Sequence, residues 1–162
     1  MQPRVSLCEL VEIAVEIERN GRAFYAENAK NMSTPAIKDV FAYLAGEEEK
    51  HISLFQKLAN ALCAEETASS YADDYYAYIN ALAGEHVFTK QNSGYVRAQN
   101  ITKAGEALDI GIAFEKDSIL FYETMKPLFP EEERYMIDLL IEEEKGHFKT
   151  LREAKDALLN HL

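Results

Sequence analysis

The sequence predicts an all-α protein whose core is a bundle of four long helices. Three observations predict it. Apolar residues recur at helical spacing over four long stretches. Runs that alternate apolar and polar, as half-buried strands do, are absent. Glycine and proline are scarce, at 7 and 4 of 162 residues, which suits long uninterrupted helices.

The first helix is expected from about Ser6 to Met32. Ser33-Thr34-Pro35 then reads as an N-cap followed by proline in the first turn, where its missing N–H costs nothing. The second helix follows from about Pro35 to Cys63. A crossover of about 40 residues, 64–102, holds one short tyrosine-rich helix, Tyr71 to Ala83, and loop around Asn92-Ser93-Gly94. The third long helix runs from about Lys103 to Met125, with Pro127 just past its end. Pro130 opens the fourth, which continues to about Asn160, and Glu131, Glu132 and Glu133 in its first turn suit the helix dipole. Two short connections flanking one long one give a hairpin (about 6–63), a crossover and a second hairpin (about 103–160). That is the connectivity of a ferritin-like four-helix bundle. The whole chain, 1–162, is expected to form one domain.

The two hairpins repeat each other. The first and third helices match at an offset of 97, which sets Ala14 on Gly111, Glu18 on Glu115, Phe24 on Phe121 and Tyr25 on Tyr122. The second and fourth match at an offset of 96, which sets Leu44 on Leu140, Glu48 on Glu144, His51 on His147 and Leu62 on Leu158. The inward register of the second helix is Ile37, Phe41, Leu44, Glu48, His51, Phe55, Leu58, Leu62. Glu48 and His51 alone break it. In the fourth helix the same break is Glu144 and His147. The first and third helices each carry one acid in mid-seam, Glu18 and Glu115.

Such spacing turns all six side chains inward with the leucines. Four buried carboxylates without partners would cost several kcal/mol each. Two divalent cations would neutralise them, and mixed oxygen and nitrogen ligands suit two iron ions, with manganese or a mixed pair also fitting. A Glu-x-x-His pair places two ligands on one helix face, one turn apart, so that a carboxylate can bridge two metals while the histidine binds one. One copy would be weak evidence, since glutamate-rich helices produce it by chance. Two copies in matching register, with two more seam glutamates, are far more specific. The plain alternative is a polar layer that only fixes helix register. Glu47 and Glu143 fall outside the seam and are assigned to solvent.

Composition excludes other classes. A net charge of −11 argues against nucleic acid or an anionic membrane as partner. No stretch is long and apolar enough for a membrane span. Arg4, Glu9 and Glu12 interrupt the first apolar stretch, unlike a signal peptide. Cys8 and Cys63 are too few for a disulfide framework and are read as small, partly buried apolar residues in a reducing compartment, so a cytoplasmic location is expected.

The strings EIERNGRAFY, EEEKH, FEKDSILFY and EEEKGH resemble the rubrerythrin family of ferritin-like di-iron proteins over nearly the whole chain, duplication included. The resemblance implies iron ligands at Glu18, Glu48, His51, Glu115, Glu144 and His147, two irons per chain, and reduction of hydrogen peroxide to water. Two departures stand out. Many family members carry a second glutamate three residues after the third-helix ligand, where this chain has Ser118. Paired CxxC motifs of a rubredoxin domain are absent, so electrons are expected from a donor protein in trans.

Tyr25 and Tyr122 share a face with Glu18 and Glu115. They are read either as core aromatics or as hydrogen-bond donors to the ligand carboxylates. Gly21 is assigned to close packing, Ser118 to access for peroxide, and His86 to the surface of the crossover. Glu12 and Asp109 are weaker candidates for orienting the histidines. The leading functional reading is an oxidoreductase acting on hydrogen peroxide. Oxidation of ferrous iron by dioxygen or peroxide, with iron handling or storage, is the first alternative. A metal-stabilised binding protein without turnover is the second. A two-fold homodimer is the expected assembly.

Overall fold

A computed structural model describes residues 6–64, 73–86 and 93–160. Its elements are α1 (Leu7–Asn31), α2 (Pro35–Leu62), α3 (Asp73–Glu85), α4 (Ser93–Gln99), α5 (Ala104–Met125), a 3₁₀ turn (Lys126–Leu128) and α6 (Glu131–Asn160). No strand occurs among the described residues. The long helices fall within two residues of their expected bounds. Tyr71 and His161 lie outside the described residues.

Local chemistry explains the helix ends. Ser6 caps α1 in a capping box: its hydroxyl accepts from the Glu9 N–H at 3.2 Å while the Glu9 carboxylate accepts from the Ser6 N–H at 2.6 Å. Thr34 precedes Pro35 in extended conformation, but its side chain makes no cap bond. Proline in the first turn is therefore the operative start signal there. Between α5 and α6 the guanidinium of Arg134 donates to the carbonyls of Phe129 (3.0 Å) and Pro127 (2.9 Å), which fastens the turn.

α1 packs along α2, and α5 along α6; contacts of α2 with α6 and of α1 with α5 close the bundle. The core runs its length through Leu10, Phe24, Phe41, Phe55, Phe114, Phe121 and Leu140, all fully buried or nearly so. The crossover lies over the α1–α5 side, with α3 against α5 and α4 against α1.

Two expectations are corrected here. Ser93 and Gly94 begin a helix, α4, rather than a loop. The approach to α1 explains the glycine: a Cβ on Gly94 would lie 1.8 Å from the Asn20 carbonyl oxygen, and its N–H donates to Asn20 Oδ1 at 3.3 Å. Cys8 and Cys63 are not separate apolar residues. They form a disulfide, with Cα atoms 5.2 Å apart, joining the start of α1 to the end of α2. Antiparallel helices of similar length bring those two ends together. The bond withdraws the support that unpaired thiols lent to a reducing compartment. No helix among the described residues is long and apolar enough to cross a membrane.

Candidate metal centre

All six seam residues meet at mid-bundle. Glu18, Glu48, Glu115 and Glu144 are fully buried, and His51 and His147 nearly so. Nδ1 of His51 faces Glu144 Oε1 at 3.1 Å, Glu18 Oε2 at 3.4 Å and Glu48 Oε2 at 3.6 Å. Nδ1 of His147 faces Glu144 Oε2 at 3.1 Å, Glu48 Oε1 at 3.7 Å and Glu115 Oε2 at 3.9 Å. The two imidazoles stack with centroids 5.3 Å apart. Ligand atoms of Glu48, His51, Glu144 and His147 all lie within 4.8 Å of one another, a spacing that could hold a metal ion.

Close approach is only partly matched by hydrogen bonding: His147 Nδ1 pairs with Glu144 Oε2 at 3.1 Å, but several other polar atoms find no partner. Glu18 Oε2, both oxygens of Glu48, Glu115 Oε2, Glu144 Oε1 and His51 Nδ1 are buried without a hydrogen-bond partner. Lone pairs that converge on shared space, rather than on each other's protons, are costly in a metal-free protein and suited to cations. The donor set of four carboxylates and two imidazoles fits two iron or manganese ions.

A rubrerythrin sequence profile matches residues 9–155. The chain belongs to the rubrerythrin family. Two solved structures share the fold. A Thermotoga maritima protein described as ferritin-like and diiron-carboxylate is 24% identical, with TM-score 0.70 over 96% of this chain and 98% of its own. A hypothetical protein from Pyrococcus furiosus is 27% identical, with TM-score 0.71 over 96% of this chain and 91% of its own. Comparison with curated proteins finds no match.

Around the rubrerythrin cluster, two tyrosines cross the bundle reciprocally. Tyr25 on α1 donates to Glu115 Oε1 on α5 at 2.5 Å, and Tyr122 on α5 donates to Glu18 Oε1 on α1. Of the two readings of these residues, the hydrogen-bonding one describes the geometry. Burial, then the nearby Glu115 and Glu18 charges, raises both phenols well above the ordinary tyrosine range, so both hold their protons. Burial, then the charges of its carboxylate neighbours, likewise raises Glu48 and Glu115. Burial alone would lower the His51 pKa, but Glu144, Glu18 and Glu48 beside it outweigh that and raise it far above the histidine range. Burial would raise Glu144; His51 and His147 pull it well down instead.

Three other residues depart from expectation. His86 is buried, 5% exposed, not at the surface. Its Nε2 lies 3.2 Å from Ser118 Oγ, and the rings of Phe114 and Phe121 stand edge-on at 5.7 and 6.5 Å. Burial lowers its pKa to about 4, against the opposing Glu144 charge. Ser118 is fully buried, with its hydroxyl against His86. A legible signal existed: Tyr76, Ile79, Ala83 and His86 continue one buried 3-4-3 stripe along α3. The third residue is Glu143. Although half exposed, it reaches across to His51 Nε2 at 3.0 Å rather than standing free in solvent.

Gly21 serves packing, as expected: a Cβ there would lie 2.4 Å from the Phe114 ring. Glu12 is exposed, and Asp109 pairs with Lys155 rather than with a histidine.

Proposed function

We propose that this chain is a di-iron oxidoreductase that reduces hydrogen peroxide, with two electrons supplied in trans by a donor protein. The balance is one peroxide, two electrons and two protons to two waters. The observation that carries the reading is the buried cluster of Glu18, Glu48, His51, Glu115, Glu144 and His147 with its unmatched carboxylate oxygens. These six residues would hold two irons. The iron pair, when bound, supplies the two electrons and polarises the O–O bond.

The protein's own residues do the rest. The four glutamates balance the charge of the pair in a site closed to bulk water. The Nδ1 atoms of His51 and His147 both point inward to it. Tyr25 and Tyr122 keep their hydroxyl protons on Glu115 and Glu18. These bonds fix which oxygen of each carboxylate remains directed at the centre. On either side, stacked Tyr25 and Phe41 (5.9 Å) and tilted Phe55 and Tyr122 (5.2 Å) pack the seam. That packing lowers the local dielectric and strengthens every charge interaction inside.

Peroxide consumption with a chemical reductant tests the reading, in iron-loaded wild type and Glu48→Ala. Turnover in wild type alone is expected. Equal turnover in both would overturn the site, and iron uptake far beyond two ions per chain without peroxide turnover would favour iron handling.

A further inference from the structure

The duplication is imperfect beside the centre. At an offset of 96, Glu47 matches Glu143, but Lys50 matches Gly146. Glu47 is bound at 2.6 Å by Lys50, one turn along its own helix. Glu143 has no lysine in that position. Its carboxylate instead crosses from α6 to α2 and takes Nε2 of His51 at 3.0 Å. Among the described residues no carboxylate bonds Nε2 of His147, whose ring stands perpendicular to that of Tyr43, centroids 6.2 Å apart.

We propose that Glu143 is a positioning residue for His51, and that it makes the two metal positions of the centre inequivalent. The proposal rests on the di-metal reading above. With a cation in place of the Nδ1 proton, an Nε2–H donated to Glu143 would leave the Nδ1 lone pair facing that cation beside Glu18, Glu48 and Glu144. It also fixes the ring plane and makes the imidazole a stronger base toward a cation. His147 lacks this anionic support. The cation nearer His51 is therefore held more tightly, and the cation nearer His147 is the more exchangeable. A single substitution, lysine to glycine, separates the two arrangements. A Cβ on Gly146 would meet nothing within 4 Å, so a lysine there can be tolerated and would offer Glu143 the local partner that Glu47 has.

The test uses the full chain, stripped of metal and titrated anaerobically with ferrous iron. Wild type, Glu143→Ala, Glu47→Ala and Gly146→Lys are compared. The expected result for Glu143→Ala is one binding step weakened by about 10–100-fold and the other unchanged. One of the two iron environments in the Mössbauer spectrum should shift with it. Glu47→Ala should match wild type, and Gly146→Lys should move in the direction of Glu143→Ala. Melting of the metal-free variants separates this from loss of fold. Wild-type affinities in Glu143→Ala, or equal weakening in Glu143→Ala and Glu47→Ala, would overturn the proposal while leaving the centre intact. Wild type that binds no iron would overturn the centre itself.

Discussion

The two hairpins place the same Glu, Glu-x-x-His set at matched positions, yet surround it differently. In the first, the Cys8–Cys63 disulfide locks the outer ends of α1 and α2. The matching positions in the second hairpin are Gly105 and Leu159, so no covalent bond joins α5 to α6 there; packing, the turn that Arg134 fastens and the Lys155–Asp109 ion pair hold them together. In the first, Gly21 makes room for the Phe114 ring. Its counterpart is Ser118, which takes His86 from the crossover. In the first, Glu47 is tied to Lys50; in the second, Glu143 is left to reach His51. The inward positions are matched because four carboxylates must converge on one volume. The supporting positions differ because each hairpin faces different neighbours.

Replacing a seam glutamate in either hairpin should break both halves at once. Glu48→Ala and Glu144→Ala should each lose metal and drop peroxide turnover to background, since each carboxylate approaches both histidine nitrogens. Activity retained in one variant alone would show that the halves do not share a centre.

The disulfide should produce the next largest effect, confined to the first hairpin. Its 55-residue separation corresponds to about 4 kcal/mol of loop-closure stabilisation. Cys8→Ser/Cys63→Ser should lower denaturant stability by that order, with the difference from wild type vanishing in a strong thiol reductant. A difference that persists under reduction would assign the loss to packing.

His86 sharpens the comparison on the second-hairpin side. Its folded pKa, lowered to about 4, lies below the unfolded value near 6.5. The neutral form is thus favoured by folding. That contribution, on the order of 3 kcal/mol, is fully present above about pH 6.5 and is lost as pH falls toward 4. Denaturation between those pH values should be less steep in His86→Gln than in wild type. Parallel curves would mean that His86 is protonated equally in both states.

The tyrosines give the smallest effects and should be symmetric. Tyr25→Phe and Tyr122→Phe each leave a buried carboxylate oxygen without its donor. Each should cost the metal-free protein about 1–3 kcal/mol. A marked inequality would show that the two halves carry their charge unequally.

Much of this was legible in the sequence because helical periodicity reports burial directly. The inward registers through Glu48, His51, Glu144 and His147 contained both the bundle and the cluster. Most of what escaped had no periodic signature in its own helix. Glu143 is off the seam by register and is recruited across the bundle by a neighbour missing at Gly146. The Cys8–Cys63 pair depends on where two helix ends finish. The α4 helix carries Gly94 near its start, a turn signal in sequence that instead records close approach to Asn20. His86 sat on a readable stripe, Tyr76, Ile79, Ala83, whose extension past Glu85 marks it as buried.

Metal content per chain tests the central claim most directly, by elemental analysis of protein prepared without a metal-binding tag and reloaded anaerobically with ferrous iron. About two irons per chain, lost together in Glu48→Ala, is the predicted result. Protein that takes up no metal, with a melting temperature indifferent to chelation, would contradict it and leave the buried glutamates as a polar layer of the bundle.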